Sequence, residues 1–585
     1  MSDLYQLFPT DLNGIPSFPH ADTSSLSDVD RDALRELSWP EIQSWVEERI
    51  KAHLDRDYIR ALKTIHNDAA LVHCLSNEVL MMIFEEASST RADIRVSHVC
   101  RRWRSLALAT PAFWANLLED EDDAIDYSKA DSTKPFHMET VESVISRSGT
   151  RPIQLVLDHF SPAHARILDA TRSRVQSLSL IAIDCVNAFR SIASTMGGMP
   201  NLTELCIFNW SEGIPDLQQP LWEIDAFPRL RCLYISGTPH TVRYIVPSLR
   251  KLFIKGPACT YTAEILLDAL RNCPGLERLG ILDDAMPPAS TSLESFGKVS
   301  LPALQSLNIH YPSQDALRPG DLLAHVDLPL TAGVRLKVVE TLAVVNRIEY
   351  TFPAGFACLP AWPKVTEVHY ADEENDWYLI SNDFSMLTCW AEGKVVLSIE
   401  AVGILSAEEL EYLCTHSAAT NHFRWFVKAL SPYDCYSSVF QALPQLRFLE
   451  ITCATPGYID PAFIRQLCFA ADPQTTIPCP ALKDLFITRA LPVDSGHADV
   501  IKTTFVTCIE ESLRNRSLHG VPIERLEYTS PTSQMDGHGL LSLEDARQIA
   551  ACLARHVSLS VTIALYEGSD LYLRSTESHC PLEGP

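Results

Sequence analysis

The sequence predicts an α/β protein in two parts: a small all-helical module near the N-terminus, then a solenoid of short parallel strands and helices. Three observations carry that expectation. Within residues 71–118, apolar side chains recur at helical spacing over more surface than so short a stretch can bury by itself. Beyond residue 150, a unit of proline, leucine two on, leucine three further and an aliphatic residue two further returns repeatedly. Between its copies lie stretches of helical period, such as residues 188–196 and 262–271.

Residues 1–26 carry Pro9, Pro16 and Pro19 among scattered Ser and Asp without a sustained period, and read as a disordered lead. The segment 27–70 reads as one or two amphipathic helices. Ser38, Pro40 and Glu41 make a helix start, and Ile42, Trp45, Val46, Ile50, Leu54, Tyr58, Leu62 and Ile65 follow every three or four residues. The run is short and irregular for a coiled coil, so it is expected to pack back on the module or the solenoid. In the module, Ser76 is placed to cap a helix with Glu78 in its first turn. Val79, Leu80, Ile83, Phe84 and Ala87 then form one apolar stripe. A second helix is expected from Thr90, with Asp93 three residues on and Val96, Val99, Cys100, Trp103 and Ala107 on one face. Arg101, Arg102 and Arg104 fall off that face, near an end where the helix dipole favours cations. Thr110 followed by Pro111 opens a short turn that carries Phe113, Trp114 and Leu117.

Taken together these residues resemble an F-box in the form common in fungal proteins. There a leucine-rich first helix is followed by a helix like VCRRWRSLAL, from Val99, and an ending like ATPAFWANL, from Ala109. The family pattern opens on Leu-Pro, then Glu, an aliphatic pair and Ile-Phe. Here it reads Leu75, Ser76, Glu78, Val79, Leu80, Ile83 and Phe84, with serine in place of the proline. The resemblance implies docking onto a Skp-type adaptor and, through it, a cullin. The chain would then be the substrate-recognition subunit of a cullin-RING (SCF-type) E3 ubiquitin ligase, with no catalytic residue, cofactor or metal of its own. The expected adaptor-binding or F-box core residues are Leu75, Glu78, Val79, Leu80, Ile83, Phe84, Val99, Cys100, Trp103, Leu106 and Trp114. Leu75, Leu80 and Ile83 are expected at the contact, Cys100 and Trp103 inside. The missing proline supports an alternative, a non-ligase scaffold or interaction protein with an F-box-like module.

The acidic run at 119–123 lies in an expected linker, 119–135. The repeat unit then stands at Pro200, Leu202, Leu205 and Ile207, with further starts at Pro228, Pro247, Pro274 and Pro302. It resumes at Pro444 and Pro480, with a weaker copy at Pro522 and proline-poor variants at Ile153, Leu155, Leu157 and at Val175, Leu178, Leu180. Leucine-x-isoleucine is a strand with two side chains on one face, and such units must stack to share a core. The pattern resembles leucine-rich repeats in the irregular form often found C-terminal to F-boxes. Residues 136–575 are therefore expected to be a leucine-rich-repeat-like solenoid, followed by a tail at 576–585. That family's asparagine or cysteine past the strand is replaced by Trp210, Thr238, Pro257, Asp284 and Pro312. Between 311 and 442 the unit nearly lapses, leaving a blurred copy at Pro363, Val365, Val368 and Tyr370 and a strand-like run at 394–402, so an irregular insertion is expected. Alternation puts Cys206, Tyr234, Phe253, Gly280, Asn308, Glu450 and Phe486 on the open face. Of these, Tyr234, Phe253, Asn308 and Phe486 are expected to meet an as yet unnamed target protein.

Composition narrows the function classes. A formal charge of −26, from 74 acidic and 48 basic residues, argues against nucleic acid or an anionic membrane as partner. No stretch reads as a membrane span or signal peptide, so the expected compartment is intracellular, cytoplasmic and/or nuclear. Seventeen cysteines, none closer than Cys468 and Cys479, lack paired-ligand spacing and read as free thiols. Phosphate-cradling glycine loops, HExxH, GxSxG and kinase signatures are absent; Gly537 with Gly539, and His159 with His164, come nearest to a motif and read as loops.

Overall fold

The structure is a computed structural model. It describes residues 24, 26–52, 55–70, 72, 75–88, 91–118, 138–158, 162–182, 199–209, 227–236, 245–256, 261–282, 285–289, 293, 296–311, 316–338, 347–374, 383–402, 405–417, 419–427, 437–453, 461–467, 477–488, 498–531, 543–567 and 570–578. The lead up to residue 23, the linker 119–135, the expected helix at 188–196 and the residues past each strand such as Trp210 lie outside them. Two compact units divide the chain, Met1–Trp210 with Leu221–Arg229, and Ser211–Pro220 with Leu230–Pro585.

In the first unit, helices α1 (Asp28–Glu36), α2 (Trp39–Ala52) and α3 (Arg56–Asp68) precede the module. Ser27 caps α1 by accepting from the Asp30 N–H, and Asp55 caps α3 by accepting from those of Asp57 and Tyr58. Their apolar stripes meet one another: Leu26, Leu34, Ile42, Val46, Leu62 and Ile65 belong to one core drawn from residues 26–69. Sequence reasoning expected one or two helices leaning on a neighbour; three close on themselves, because α1 supplies the missing side. Asp30 is buried among them, accepting from Tyr58 Oη, from Ser27 Oγ at 2.6 Å and from Arg49 at 2.9 Å.

The module follows as α4 (Asn77–Ala87), a 3-10 helix (Arg91–His98), α5 (Arg101–Ala109) and α6 (Pro111–Asn116). The single second helix expected from Thr90 is thus split at Val99 and Cys100, where Cys100 is extended (φ −151°, ψ 172°). β-Branched Ile94, Val96 and Val99 favour helix weakly, and the Ser97 hydroxyl donates to the Ile94 carbonyl at 2.7 Å, so the run tightens and ends. The split overturns the dipole argument for the arginines, which now begin α5. Arg102 instead donates to the Leu75 carbonyl at 2.7 Å and to Asn77 Oδ1 at 2.9 Å, tying α5 to the start of α4. Beyond the module, α7 (Met138–Arg147) leads to parallel strands β1 (Ile153–Asp158), β2 (Val175–Ala182) and β3 (Glu204–Asn209), with α8 (Pro162–Thr171) between the first two.

In the second unit, β4 (Cys232–Ser236), β5 (Lys251–Lys255), β6 (Arg278–Leu282), β8 (Ser306–Tyr311) and β10 (Gly333–Val338) lie side by side and parallel. Helices α9 (Ala263–Arg271) and α10 (Pro319–Ala324), and the short pair β7 (Val299–Ser300) and β9 (Val326–Asp327), fill the connections. The repeated proline has a local reason. The carbonyl of the residue before it (Met199, Val246, Cys273, Leu301, Leu443, Cys479) accepts from the N–H of the leucine two on, at 3.0–3.3 Å. Proline therefore sits at the second position of a β-turn, where its fixed φ is already correct. The residue before it is buried in each of these copies, an inward position that the leucine pattern did not reveal.

Between 311 and 442, where the repeat unit nearly lapses, the succession of neighbouring parallel strands is interrupted. From β10 the chain passes α11 (Arg347–Thr351) and enters β11 (Glu367–Glu374), then runs antiparallel through β12 (Asp383–Ala391) and β13 (Lys394–Val402). β13 returns to pair with β10, and α12 (Ala407–His416) then crosses to β14 (His422–Val427), which pairs with β11; both pairings are parallel. The pattern was hidden because Val334 and Leu336, and Phe423 and Trp425, fill the inward positions without the usual proline-leucine start. Parallel pairing continues through β15 (Phe448–Cys453), β16 (Asp484–Thr488), β17 (Arg525–Pro531) and β18 (Ser560–Glu567). An antiparallel β19 (Asp570–Ser578) comes last, running past the expected end at 575. Helices α13 (Ser437–Gln441), α14 (Pro461–Gln466), α15 (Ala498–Leu518) and α16 (Leu543–Leu553) connect these strands.

Candidate protein-docking surfaces

The single apolar stripe of α4 divides into two arcs. Leu80 and Phe84 are buried with Phe113, Trp114 and Leu117. Phe84 lies 5.1 Å from the Trp103 ring and 6.3 Å from Phe113, and Trp114 donates its indole N–H to the Ala107 carbonyl at 2.7 Å. Burying each such side chain is worth about 1.5–3 kcal/mol, so this cluster holds the module together. Val79, Met82 and Ile83 form the other arc and are 39, 65 and 41 % exposed; Val99, at 56 %, and Leu108, at 45 %, add to the module's bare apolar surface. Leu80, expected at a contact, is a core residue: the helices packed against α4 cover its arc and leave that of Ile83 open. Leu75, Cys100, Trp103 and Leu106 are half-buried, and Glu78 is exposed. Sequence reasoning passed over Met82 and Leu108, since periodicity marks apolar residues without saying which arc finds a neighbour.

Serine in place of the family proline leaves the chain path intact. Ser76 has φ −62° and ψ 160°, the φ a proline would impose, and its hydroxyl accepts from the Val79 N–H at 3.4 Å. The Glu78 carboxyl is held below the usual carboxylate range by its own backbone N–H and by the Ser76 hydroxyl. At the far end, the Arg147 guanidinium of α7 stacks 4.7 Å from the Trp114 ring, joining the module to the helix that leads into β1.

In the second unit the register brings Tyr234, Phe253, Gly280 and Asn308 into one row across β4, β5, β6 and β8, continued by Arg335. Tyr234, Phe253 and Asn308 are half-buried, and the two rings lie 6.2 Å apart. Phe253 lies over Gly280, where an added Cβ would come within 2.5 Å of the ring; only glycine admits it. Phe486 stands apart, on β16 beside Glu450 and Glu527. Flanking this first row on the same face are Lys251, Lys255, Arg278 and Lys337, which alternation could have supplied had it been read beyond the central position. Around Phe486 the charges pair among themselves, Arg424 with Glu450 at 3.2 Å and Arg525 with Asp484 at 2.7 Å.

Among the described residues no group of His, Cys, Asp and Glu could hold a metal ion, and the described cysteines form no disulfide. Burial pushes the Cys273 thiol up to about 12 and those of Cys206 and Cys358 up to about 11, which keeps them protonated and poor nucleophiles.

Residues 77–120 match the F-box-like family model. No curated protein matches the chain. F-box domains generally bind Skp-type adaptors, and the match points to a role as an adaptor in SCF-type ubiquitin ligase complexes. No described helix is long and apolar enough to cross a membrane.

Proposed function

We propose that this chain is the substrate-recognition subunit of a cullin-RING (SCF-type) ubiquitin ligase. In this reading Val79, Met82 and Ile83 meet the Skp-type adaptor, which brings the cullin, and the parallel-strand region is a leucine-rich-repeat-like solenoid that holds a target protein. The observation that carries it is the exposed arc of α4: the module has a complete core and still leaves three neighbouring large apolar side chains bare. Catalysis would be proximity, the reactive thioester being supplied by another protein while this chain raises the local concentration of target. The alternative of a non-ligase scaffold drew on the missing proline, and Ser76 gives it little support because its backbone follows proline's path.

The test is co-purification of the full chain with a Skp-type adaptor and cullin, beside a Met82→Asp, Ile83→Asp variant. Both positions are exposed, so the variant should keep its circular dichroism spectrum and lose the adaptor. A wild-type chain that takes neither adaptor nor cullin would overturn the proposal; adaptor without cullin would favour the scaffold.

A further inference from the structure

We propose that the open face of β4, β5, β6, β8 and β10 binds an extended, carboxylate-rich peptide segment of a partner protein, with one aromatic or aliphatic side chain of that segment seated on Tyr234 and Phe253. The inference rests on the strand region being the target-binding end, and it names the class of target.

The chain carries 74 acidic against 48 basic residues, yet the open-face positions of these five strands include five lysines and arginines and no aspartate or glutamate. Lys337 pairs with Glu400 at 2.7 Å, whereas Lys251, Arg278 and Arg335 have no ion pair among the described residues. Lys251 and Arg278 stand in register on neighbouring strands, and Arg335 lies two strands beyond Arg278 and two residues further along. At ordinary strand spacing and rise, about 12 Å separates the two arginines at their backbones, so the cations are spread across the face and not gathered at one point. Carboxylates spread along a peptide match that distribution. The five strands span about 19 Å, which about six extended residues cross. The aromatic step in the middle has room because Gly280 leaves free the space that the Phe253 ring occupies. The Phe486 half offers no equivalent, its arginines being neutralised within the face.

The probe is a fluorescein-labelled peptide of about ten residues, alternating Glu and Asp around a central Tyr, titrated with the purified full chain by anisotropy. Binding is expected at low salt and should weaken at about 0.5 M salt. Lys251→Glu with Arg278→Glu and Arg335→Glu should weaken it roughly tenfold or more, while Arg424→Glu leaves it within about twofold. If charge reversal disturbs the circular dichroism spectrum, the corresponding triple glutamine variant carries the comparison. No binding by the wild type, equal binding by the triple variant, or tighter binding of an oligouridylate of equal length would each overturn the proposal. Adaptor co-purification reports separately: the triple variant should keep the adaptor, and peptide binding by a chain that takes no adaptor would uphold this surface while removing the ligase reading.

Discussion

Leu80 and Met82 are two residues apart, equally apolar, and opposite in consequence. Leu80 is 0 % exposed, whereas Met82 is 65 % exposed. Leu80→Ala should cost about 2–5 kcal/mol and lower the module's thermal midpoint, because its neighbours can collapse only partly into the space. Met82→Ala should leave the midpoint nearly unchanged, and differential scanning calorimetry of both variants checks the contrast. Tyr58 offers a second residue-level test. Burial, then the bond to Asp30, raises its hydroxyl from 10.0 to about 12. A raised value means the bond contributes fully below about pH 10 and is lost as pH rises through about 12. The free energy of urea unfolding should therefore fall between about pH 10 and pH 12, and Tyr58→Phe, already weakened by about 1 kcal/mol, should show a flatter pH response.

At the scale of elements, α11 and α12 are joined by a buried ion pair. Arg347 donates from its backbone N–H and from Nε to Glu409 Oε1, both at 2.8 Å, while Glu409 also accepts from the Ser406 N–H in a capping box. Glu409→Ala would remove the carboxylate that faces the buried Arg347 guanidinium and is expected to cost about 3–5 kcal/mol; the double change Arg347→Met, Glu409→Leu should recover most of it, measured by urea unfolding. Elements with a strong local signal were legible in the sequence: Leu205 and Ile207, like their counterparts in the later copies, lie buried on strands where alternation put them. Elements whose signal depends on partners were not. Cys100 breaks a helix that periodicity ran straight through, and Thr420 fills, at 0 % exposure, an inward site that leucine marks elsewhere. The docking surfaces were half legible, since Tyr234 and Phe253 follow from alternation whereas the bare arc of Met82 appears only once neighbours are placed.

At the scale of the whole molecule, the order of strands in the second unit bears on how it folds. β5 meets β6 after about 27 residues, Leu252 against Leu279, so each ordinary repeat closes a short loop. β10 meets β13 about 60 residues on, Val334 against Leu397, and β11 meets β14 after about 55, Glu367 against His422. The antiparallel meander between them is local and closes cheaply. Growth from either end of the strand stack therefore halts at β10 or at β14 until β11, β12 and β13 have formed, giving the stack two independently propagating segments and one obligatory junction. Damage to that junction would leave both segments able to fold, with the basic half of the open face no longer held in register with the self-paired half.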